Sequence, residues 1–373
     1  MITPDLLEFS GCSSREAIPV VDREPVDYWD VPATIQPNHF VHKSLSNWSF
    51  NIAIGCSHAC RFCYVPSAAT IKMGALLERH GIADPDAEWG EYVLLRRWDE
   101  KRFLASLRAA EQTPRSLLKP DGNRAIIYCS TTDPYQAIRH SDPARQRELA
   151  AAARHVVRRS LELIRDHSTL RVRILTRSPL ARQDFDLFRS FGTRLLFGMS
   201  LPTLRNDLSK IYEPRAPAPS QRLATLQAAS EAGLHIYAAI APTYPECDAA
   251  DFHATLSALR PLDPVTIFHE PINIRAENVQ RISRHAARLG VPLRTDVFAT
   301  RSAWQRYPLI SLRTMREIAQ ELGLLSRLHS WPDPALGSTA TVQSQPNPRR
   351  YLEELHKNWS RISEWPENQR PAF

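Results

Sequence analysis

From position 124 to position 289 the sequence alternates short runs of apolar and β-branched residues with amphipathic stretches of about ten residues or more. Strands read at 124–131, 170–176, 194–201, 235–241 and 265–269, and helices at 144–166, 180–190, 220–232, 248–259 and 277–289. Gly233 and Gly290 stand where two of these helices must stop. Strands separated by a helix cannot form hairpins; they pair in parallel through right-handed crossovers. The order is therefore that of an α/β barrel, full or partial. In such barrels the chemistry collects at the C-terminal ends of the strands. Those ends are polar here: Ser130-Thr131-Thr132-Asp133, Thr176-Arg177-Ser178, Met199-Ser200, and His269-Glu270 with Asn273, Arg275 and Asn278 shortly after.

A further strand, 48–55, precedes this series and ends at Gly55, directly before Cys56, Cys60 and Cys63 at C-x3-C-x2-C spacing. Three thiolates on one short loop suit a 4Fe-4S cluster that leaves one iron open. A zinc site with His58 as fourth donor is the alternative, although Cys56 and His58 are spaced more tightly than zinc ligands usually are. Disulfides would need an oxidising compartment, and residues 1–14 carry acidic side chains where a secretory signal has a basic and then an apolar region. Cys12, Cys129 and Cys247 are scattered singly, so no second C-x2-C cluster is encoded.

With 373 residues, 43% of them hydrophobic, the chain is long enough for one barrel-sized domain with appendages. No apolar run approaches the roughly 20 residues needed to cross a bilayer, and a soluble, cytoplasmic protein without a membrane partner is expected. The net charge of +7 invites a nucleic-acid partner. However, only six of the 47 basic residues are lysines, a skew that a GC-rich genome alone produces. Arg154, Arg158 and Arg165 recur at helical spacing, as on a solvated face.

The expected organisation is an extended, proline-punctuated arm at 1–47 packed by Tyr28, Trp29 and Phe40, a barrel at 48–300, and a C-terminal extension at 301–373. Between arm and barrel repeat, 67–80 reads as a helix, 91–95 as a short strand, and Asp99 as the cap of a helix reaching 111. The extension reads as a helix at 312–322, a Ser/Thr/Gln-rich linker, and a helix at 349–361 that mixes Arg349, Arg350, Tyr351 and Trp359. Such a mixture can hold nucleic acid, but closing the barrel is the favoured role.

The stretch N-I-A-I-G-C-S-H-A-C-R-F-C-Y at 51–64 resembles the signature of the radical S-adenosylmethionine (SAM) superfamily, with Phe62 as its aromatic residue. The strings I-I-Y-C-S-T-T-D-P-Y-Q, I-L-T-R-S-P-L-A-R-Q-D, Y-E-P-R-A-P-A-P-S-Q-R-L, A-A-I-A-P-T-Y-P and H-E-P-I-N resemble its spore photoproduct lyase-like branch, over roughly 49–278. The resemblance implies an α/β fold with a partial (β/α)6 TIM-like barrel. It implies a 4Fe-4S cluster on Cys56, Cys60 and Cys63, with SAM on the open iron cleaved to a 5'-deoxyadenosyl radical that abstracts hydrogen. An electron donor such as flavodoxin or ferredoxin follows. Ser130, Thr131 and Asp133 are the residues expected near the SAM amino group, Ser200 near the ribose, and Arg215 at the SAM carboxylate or a substrate anion. Cys129 resembles the hydrogen-donating cysteine of the branch and Tyr64 the tyrosine beside its cluster. Phe62 departs from the pattern, because the lyase has a second tyrosine there, and Arg96 and Arg97 stand where relatives often have a lysine.

Three functions fit this reading. One is a radical SAM enzyme acting on nucleic acid, such as a thymine lesion or a modified base. The second applies the same chemistry to a small metabolite or peptide. The third is a zinc-bearing binding module.

Overall fold

The computed structural model describes residues 24–38, 45–68, 70–275, 277–359 and 365. Its strands are β1 (Val26–Pro32), β2 (Ile35–Pro37), β3 (Trp48–Phe50), β4 (Ala53–Gly55), β5 (Val93–Arg97), β6 (Ala125–Tyr128), β7 (Arg171–Thr176), β8 (Leu195–Ser200), β9 (Ile236–Thr243), β10 (Thr266–Pro271) and β11 (Leu328–Ser330). Strands β3, β6, β7, β8, β9 and β10 pair in parallel and in chain order. The alternation implies parallel pairing through helical crossovers, and this is the six-stranded partial barrel that the resemblance implies. Its edges are extended from outside the repeat: β11 adds in parallel to β10, and β2 adds antiparallel to β3.

The single strand expected at 48–55 is two. β3 stays in the barrel sheet, while β4 joins a second sheet in the order β1-β5-β4, antiparallel to β5. The switch happens at Asn51 and Ile52, where the Ile52 carbonyl accepts from the Arg96 amide at 2.8 Å. Gly55 closes β4 at φ +85°, and a Cβ there would lie 2.1 Å from the Tyr92 carbonyl oxygen. Only glycine tolerates both the conformation and the approach. Gly90 does the same on the facing turn, at φ +106° with Ala59 Cβ 2.3 Å from where its own would stand. These two glycines seat the cysteine loop on the second sheet.

The helix Pro143–His167 starts on Asp142, whose carboxylate accepts from the Ala144 amide, and buries Leu149, Val156, Val157, Leu161 and Ile164 against the sheet. Its outward arginines are spent on ion pairs: Arg158 with the buried Asp184 and the exposed Asp186, and Arg165 with Asp166. Asp99 caps Glu100–Glu111 as expected. The helix expected at 67–80 is broken into three short turns, Val65–Ala68, Thr70–Met73 and Gly74–Glu78, with Gly74 inside the run. That at 180–190 opens as a 3-10 turn, Pro179–Asp184, before Phe185–Ser190. In the extension, Thr300 caps a helix that runs from Arg301 to Glu321 through Pro308, much longer than expected. The expected linker contains the helical turns Pro334–Gly337 and Thr339–Gln343. The last helix among the described residues is Pro348–Asn358. In the arm, Tyr28 and Trp29 lie under the guanidiniums of Arg97 and Arg96, at 3.9 and 4.4 Å; Phe40 and Cys12 lie outside the described residues. No helix among the described residues is long and apolar enough to cross a membrane.

The barrel interior is filled by rings. Gly198 leaves room for the Tyr237 ring, which a Cβ would meet at 2.3 Å, and the Tyr237 hydroxyl donates to the Ile174 carbonyl at 2.9 Å. Below it the buried Arg173 guanidinium lies between Tyr237, Phe268 and Trp365, 5.1–5.6 Å from each ring centre. Burial pushes its pKa down to about 10, so it stays charged at neutral pH.

Candidate active site

Ser130 to Gln136, the turn after β6, is bolted to the cysteine loop. Asn51 donates to Ser130 Oγ at 3.3 Å and accepts from the Thr131 amide and hydroxyl at 3.1 and 3.0 Å. Thr132 Oγ1 donates to the Gly55 carbonyl at 2.5 Å, Gln136 donates to Thr132 Oγ1 at 2.7 Å, and the Ser57 amide donates to Gln136 Oε1 at 2.7 Å. Residues nearly 80 positions apart are thereby fixed as one unit.

Asp133 is the hub of this unit. Its Oδ1 accepts from Thr176 Oγ1 and the Tyr135 amide at 2.7 and 2.8 Å; its Oδ2 accepts from the Arg177 amide at 2.9 Å and faces His58 Nε2 at 3.1 Å. Burial acts to raise this carboxyl, and His58, Thr176 and the Arg177 amide outweigh it, holding the group below the ordinary carboxylate value.

On the far side of the loop, Cys60 lies 4.0 Å from Glu213 Oε1. Glu213 is buried between two arginines, accepting from Arg177 Nε at 2.5 Å and pairing with Arg222 Nη1 at 2.5 Å. Burial raises its carboxyl, but Arg222 and Arg177 pull it down to about 2. The Arg177 guanidinium also lies over the Phe62 ring at 5.6 Å. Burial pushes the Cys60 thiol up to about 12, with Arg177 opposing. Cys56 is pushed up by burial, then by Asp133 and Cys60, and Cys63 by burial. Arg281 holds the end of the loop, donating to the Arg61 and Cys63 carbonyls at 3.1 and 2.5 Å.

Cys56, Cys60, Cys63, Tyr64, Cys129, Ser130, Thr131 and Asp133 all line one cavity of about 290 Å³ at the C-terminal ends of the strands. The three loop thiols are free and close enough to shift one another; Cys56 and Cys60 are buried and Cys63 is partly exposed. Such donors fit a cluster whose irons each take one thiolate. A single zinc ion fits less well. The fourth donor it would need, His58 Nε2, faces Asp133 Oδ2 at 3.1 Å.

Cys129 leaves β6 at φ +60° and is buried at the cavity wall. Burial raises its thiol pKa strongly, so it carries its proton at neutral pH. Tyr64 is raised by burial and by Cys63, with Glu270 and Arg275 nearby. Two expected residues are elsewhere. Ser200 is buried in the wall, donating to the Ala241 carbonyl at 3.3 Å, and does not reach the cavity. Arg215 pairs bidentately with Glu91, at 2.5 and 3.0 Å, and donates to the Gly90 carbonyl, so its guanidinium clamps the outer turn instead of facing a ligand. The ion pair prevails because Glu91 is within reach at the surface, where no desolvation opposes it.

Sequence reasoning missed Asn51, Gln136, Glu213 and Arg222 as site residues. Glu213 falls in the quoted Y-E-P-R string, yet nothing in its spacing shows that two arginines from different elements meet it.

The sequence profile of the Radical SAM superfamily matches residues 50–259. The chain belongs to this superfamily. It is a radical SAM enzyme. An uncharacterised protein of Acidianus two-tailed virus is 29% identical over 260 residues, spanning 67% of this chain and 75% of the relative. An uncharacterised protein of Methanocaldococcus jannaschii is 23% identical over 296 residues, spanning 79% and 91%. Among solved structures, a spore photoproduct lyase variant with bound AdoMet and dinucleoside spore photoproduct superposes with a TM-score of 0.56 at 13% identity, covering 82% of this chain and 81% of that one. Spore photoproduct lyase complexed with dinucleoside spore photoproduct gives 0.54 at 13% identity, covering 79% and 80%. The likeness is one of fold: the radical SAM architecture in its spore photoproduct lyase-like form.

Proposed function

We propose that this radical SAM enzyme carries a 4Fe-4S cluster on Cys56, Cys60 and Cys63, binds SAM in the adjoining cavity, and abstracts hydrogen from a nucleic-acid base such as a thymine lesion or a modified base. The observation that carries the reading is the single cavity shared by the three cysteines, Cys129 and the Ser130–Thr131 turn. Support for the base comes from the fold shared with a lyase solved with a dinucleoside, and from the Tyr237, Phe268 and Trp331 rings in the lining, which suit a flat apolar body. When bound, the cluster and SAM supply one-electron cleavage to a carbon radical.

The chain's own part is orientation and containment. Thr131 donates its hydroxyl proton to Asn51 and keeps lone pairs free, which suits the SAM amino group; Ser130 accepts from Asn51 and keeps its O–H to donate. Asp133 has both oxygens engaged and acts by holding His58 and the Arg177 backbone in place. The lining is mostly apolar and excludes water from a reactive radical. Cys129 carries an S–H bond at the wall and is the proposed hydrogen donor back to the product radical, with Tyr64 as its neighbour in the site.

The test is anaerobic reconstitution, then SAM and dithionite with an oligonucleotide whose thymine lesion is deuterated at all its carbon-bound positions. Deuterium in 5'-deoxyadenosine is expected. Label arriving only from an extract stripped of nucleic acid would instead favour a metabolite or peptide substrate.

A further inference from the structure

Three strands, β7, β8 and β9, separate β10 from the strand that carries the Ser130–Thr131 turn. Phe268, Glu270 and Asn273, on β10 and just after it, line the cavity, together with Trp331, which follows β11. β11 runs parallel to β10, so its end opens at the same rim, and the Trp331 amide donates to the His269 carbonyl at 2.8 Å. The Trp331 ring is thereby seated flat on Phe268, with centroids 4.7 Å apart and planes 10° from parallel. Asn273, in the same wall, is only 6% exposed. Asn278 donates to the Phe62 and Asn273 carbonyls at 3.3 and 2.8 Å, which ties this segment to the cysteine loop. Asn273 Nδ2 donates to Glu270 Oε1 at 2.8 Å. A carboxylate oxygen accepts, so this bond fixes which way the amide is turned and leaves Oδ1 as its acceptor. That Oδ1 is buried, and among the described residues no donor meets it. Leaving a buried acceptor unmet is costly, and a ligand that brings an N–H to this wall removes the cost.

We infer that Asn273 is a specificity-determining residue: its Oδ1 accepts the imide N–H of a pyrimidine whose ring rests on the Phe268–Trp331 pair. The inference rests on the proposed base substrate and narrows it to rings of the uracil or thymine type. The imide N–H of such a ring survives saturation of its 5,6 double bond, so intact and damaged rings both present it. The paired rings supply apolar area for a flat body, and the amide supplies direction. SAM is the other ligand of the cavity. The cysteine loop, Cys129 and the Ser130–Thr131 turn fall within residues 50–259, the stretch that matches the superfamily, whereas Phe268, Asn273 and Trp331 lie beyond it. Recognition built outside the shared stretch suits the substrate, which differs from one enzyme to the next, over the cofactor, which does not.

The experiment gives the reconstituted full chain SAM, dithionite and the deuterated thymine-lesion oligonucleotide, prepared once with free imide nitrogens and once with those nitrogens methylated. In the wild type, methylation should lower kcat/KM for label transfer about tenfold or more, because a site built to hydrogen-bond an N–H rejects the analogue that lacks it. Asn273→Ala should bring the free-imide oligonucleotide down to the methylated level and so abolish the discrimination. Trp331→Ala should raise KM for both oligonucleotides and keep it. Equal transfer from the two oligonucleotides in the wild type overturns the inference and leaves the base reading standing. So does an Asn273→Ala enzyme that still discriminates but needs more SAM for half-maximal cleavage, which would assign the amide to the adenine of SAM. The wild-type comparison needs no variant, so it can refute the inference even where Asn273→Ala does not load iron. No label from either oligonucleotide, with SAM still cleaved, overturns the base reading and this inference with it.

Discussion

Replacing Glu213 by glutamine removes one charge from the buried Arg177–Glu213–Arg222 arrangement and changes the shape of the site hardly at all. The carboxyl falls from an ordinary 4.5 to about 2 in the folded chain, which corresponds to roughly 3 kcal/mol of folding free energy at neutral pH. Breaking one partner out of a buried ion pair costs about 3–5 kcal/mol in other proteins, because the remaining charges lose their compensation. The two lines of reasoning agree, and Glu213→Gln is expected to destabilise by about 3 kcal/mol. Because the folded pKa is depressed, the stabilisation is complete above pH 4.5 and is lost as pH falls from there toward 2. The assay is urea unfolding of wild type and variant from pH 7 to pH 3, in buffers that keep the thiols reduced. The gap between the two midpoints should be wide at pH 7 and narrow on acidification below 4.5. A gap under about 1 kcal/mol at pH 7, or one that does not change with pH, would refute the claim that Glu213 neutralises two buried guanidiniums.

Three more predictions concern the loop and its latch. Gly55→Ala places a Cβ 2.1 Å from the Tyr92 carbonyl at φ +85°, so a loss of more than about 1 kcal/mol is expected, together with poorer iron loading; unchanged melting and iron content would count against this. Asn51→Ala removes three hydrogen bonds to Ser130 and Thr131 and should raise the SAM concentration needed for half-maximal cleavage several-fold with iron content intact, whereas an unchanged SAM dependence would free the turn from that role. Cys129→Ala should keep the cluster and alter the product distribution, and identical products would reduce Cys129 to packing.

The barrel was legible because its strands and helices have different hydrophobic periods and because Gly233 and Gly290 mark helix ends. The cysteine loop was legible because its ligands are local, three donors within eight residues. What escaped was non-local. The division of 48–55 between two sheets depends on Asn51 meeting Ser130 and Thr131, and on the tight fit of Gly55 against Tyr92. β11 was invisible because Leu328–Ser330 is too short to show a period, and its pairing with β10 is decided by the sheet edge. Arg215 was assigned to a ligand because a cation in the loop after a barrel strand fits an anion as well as it fits Glu91. Sequence alone does not show which of the two lies within reach. Asp133 was correctly placed at the cavity, but its neighbours could not be foreseen, and four protein donors leave it a positioning duty.

The central claim is that the three loop cysteines carry an iron-sulfur cluster with one iron open to SAM. Iron and sulfide analysis after anaerobic reconstitution, joined to electron paramagnetic resonance of the reduced protein with and without SAM, tests it most directly. About four irons per chain, a signal that changes on adding SAM, and loss of both in Cys60→Ala are predicted. A colourless protein that instead retains one zinc, or a reduced cluster whose signal ignores SAM, would contradict it.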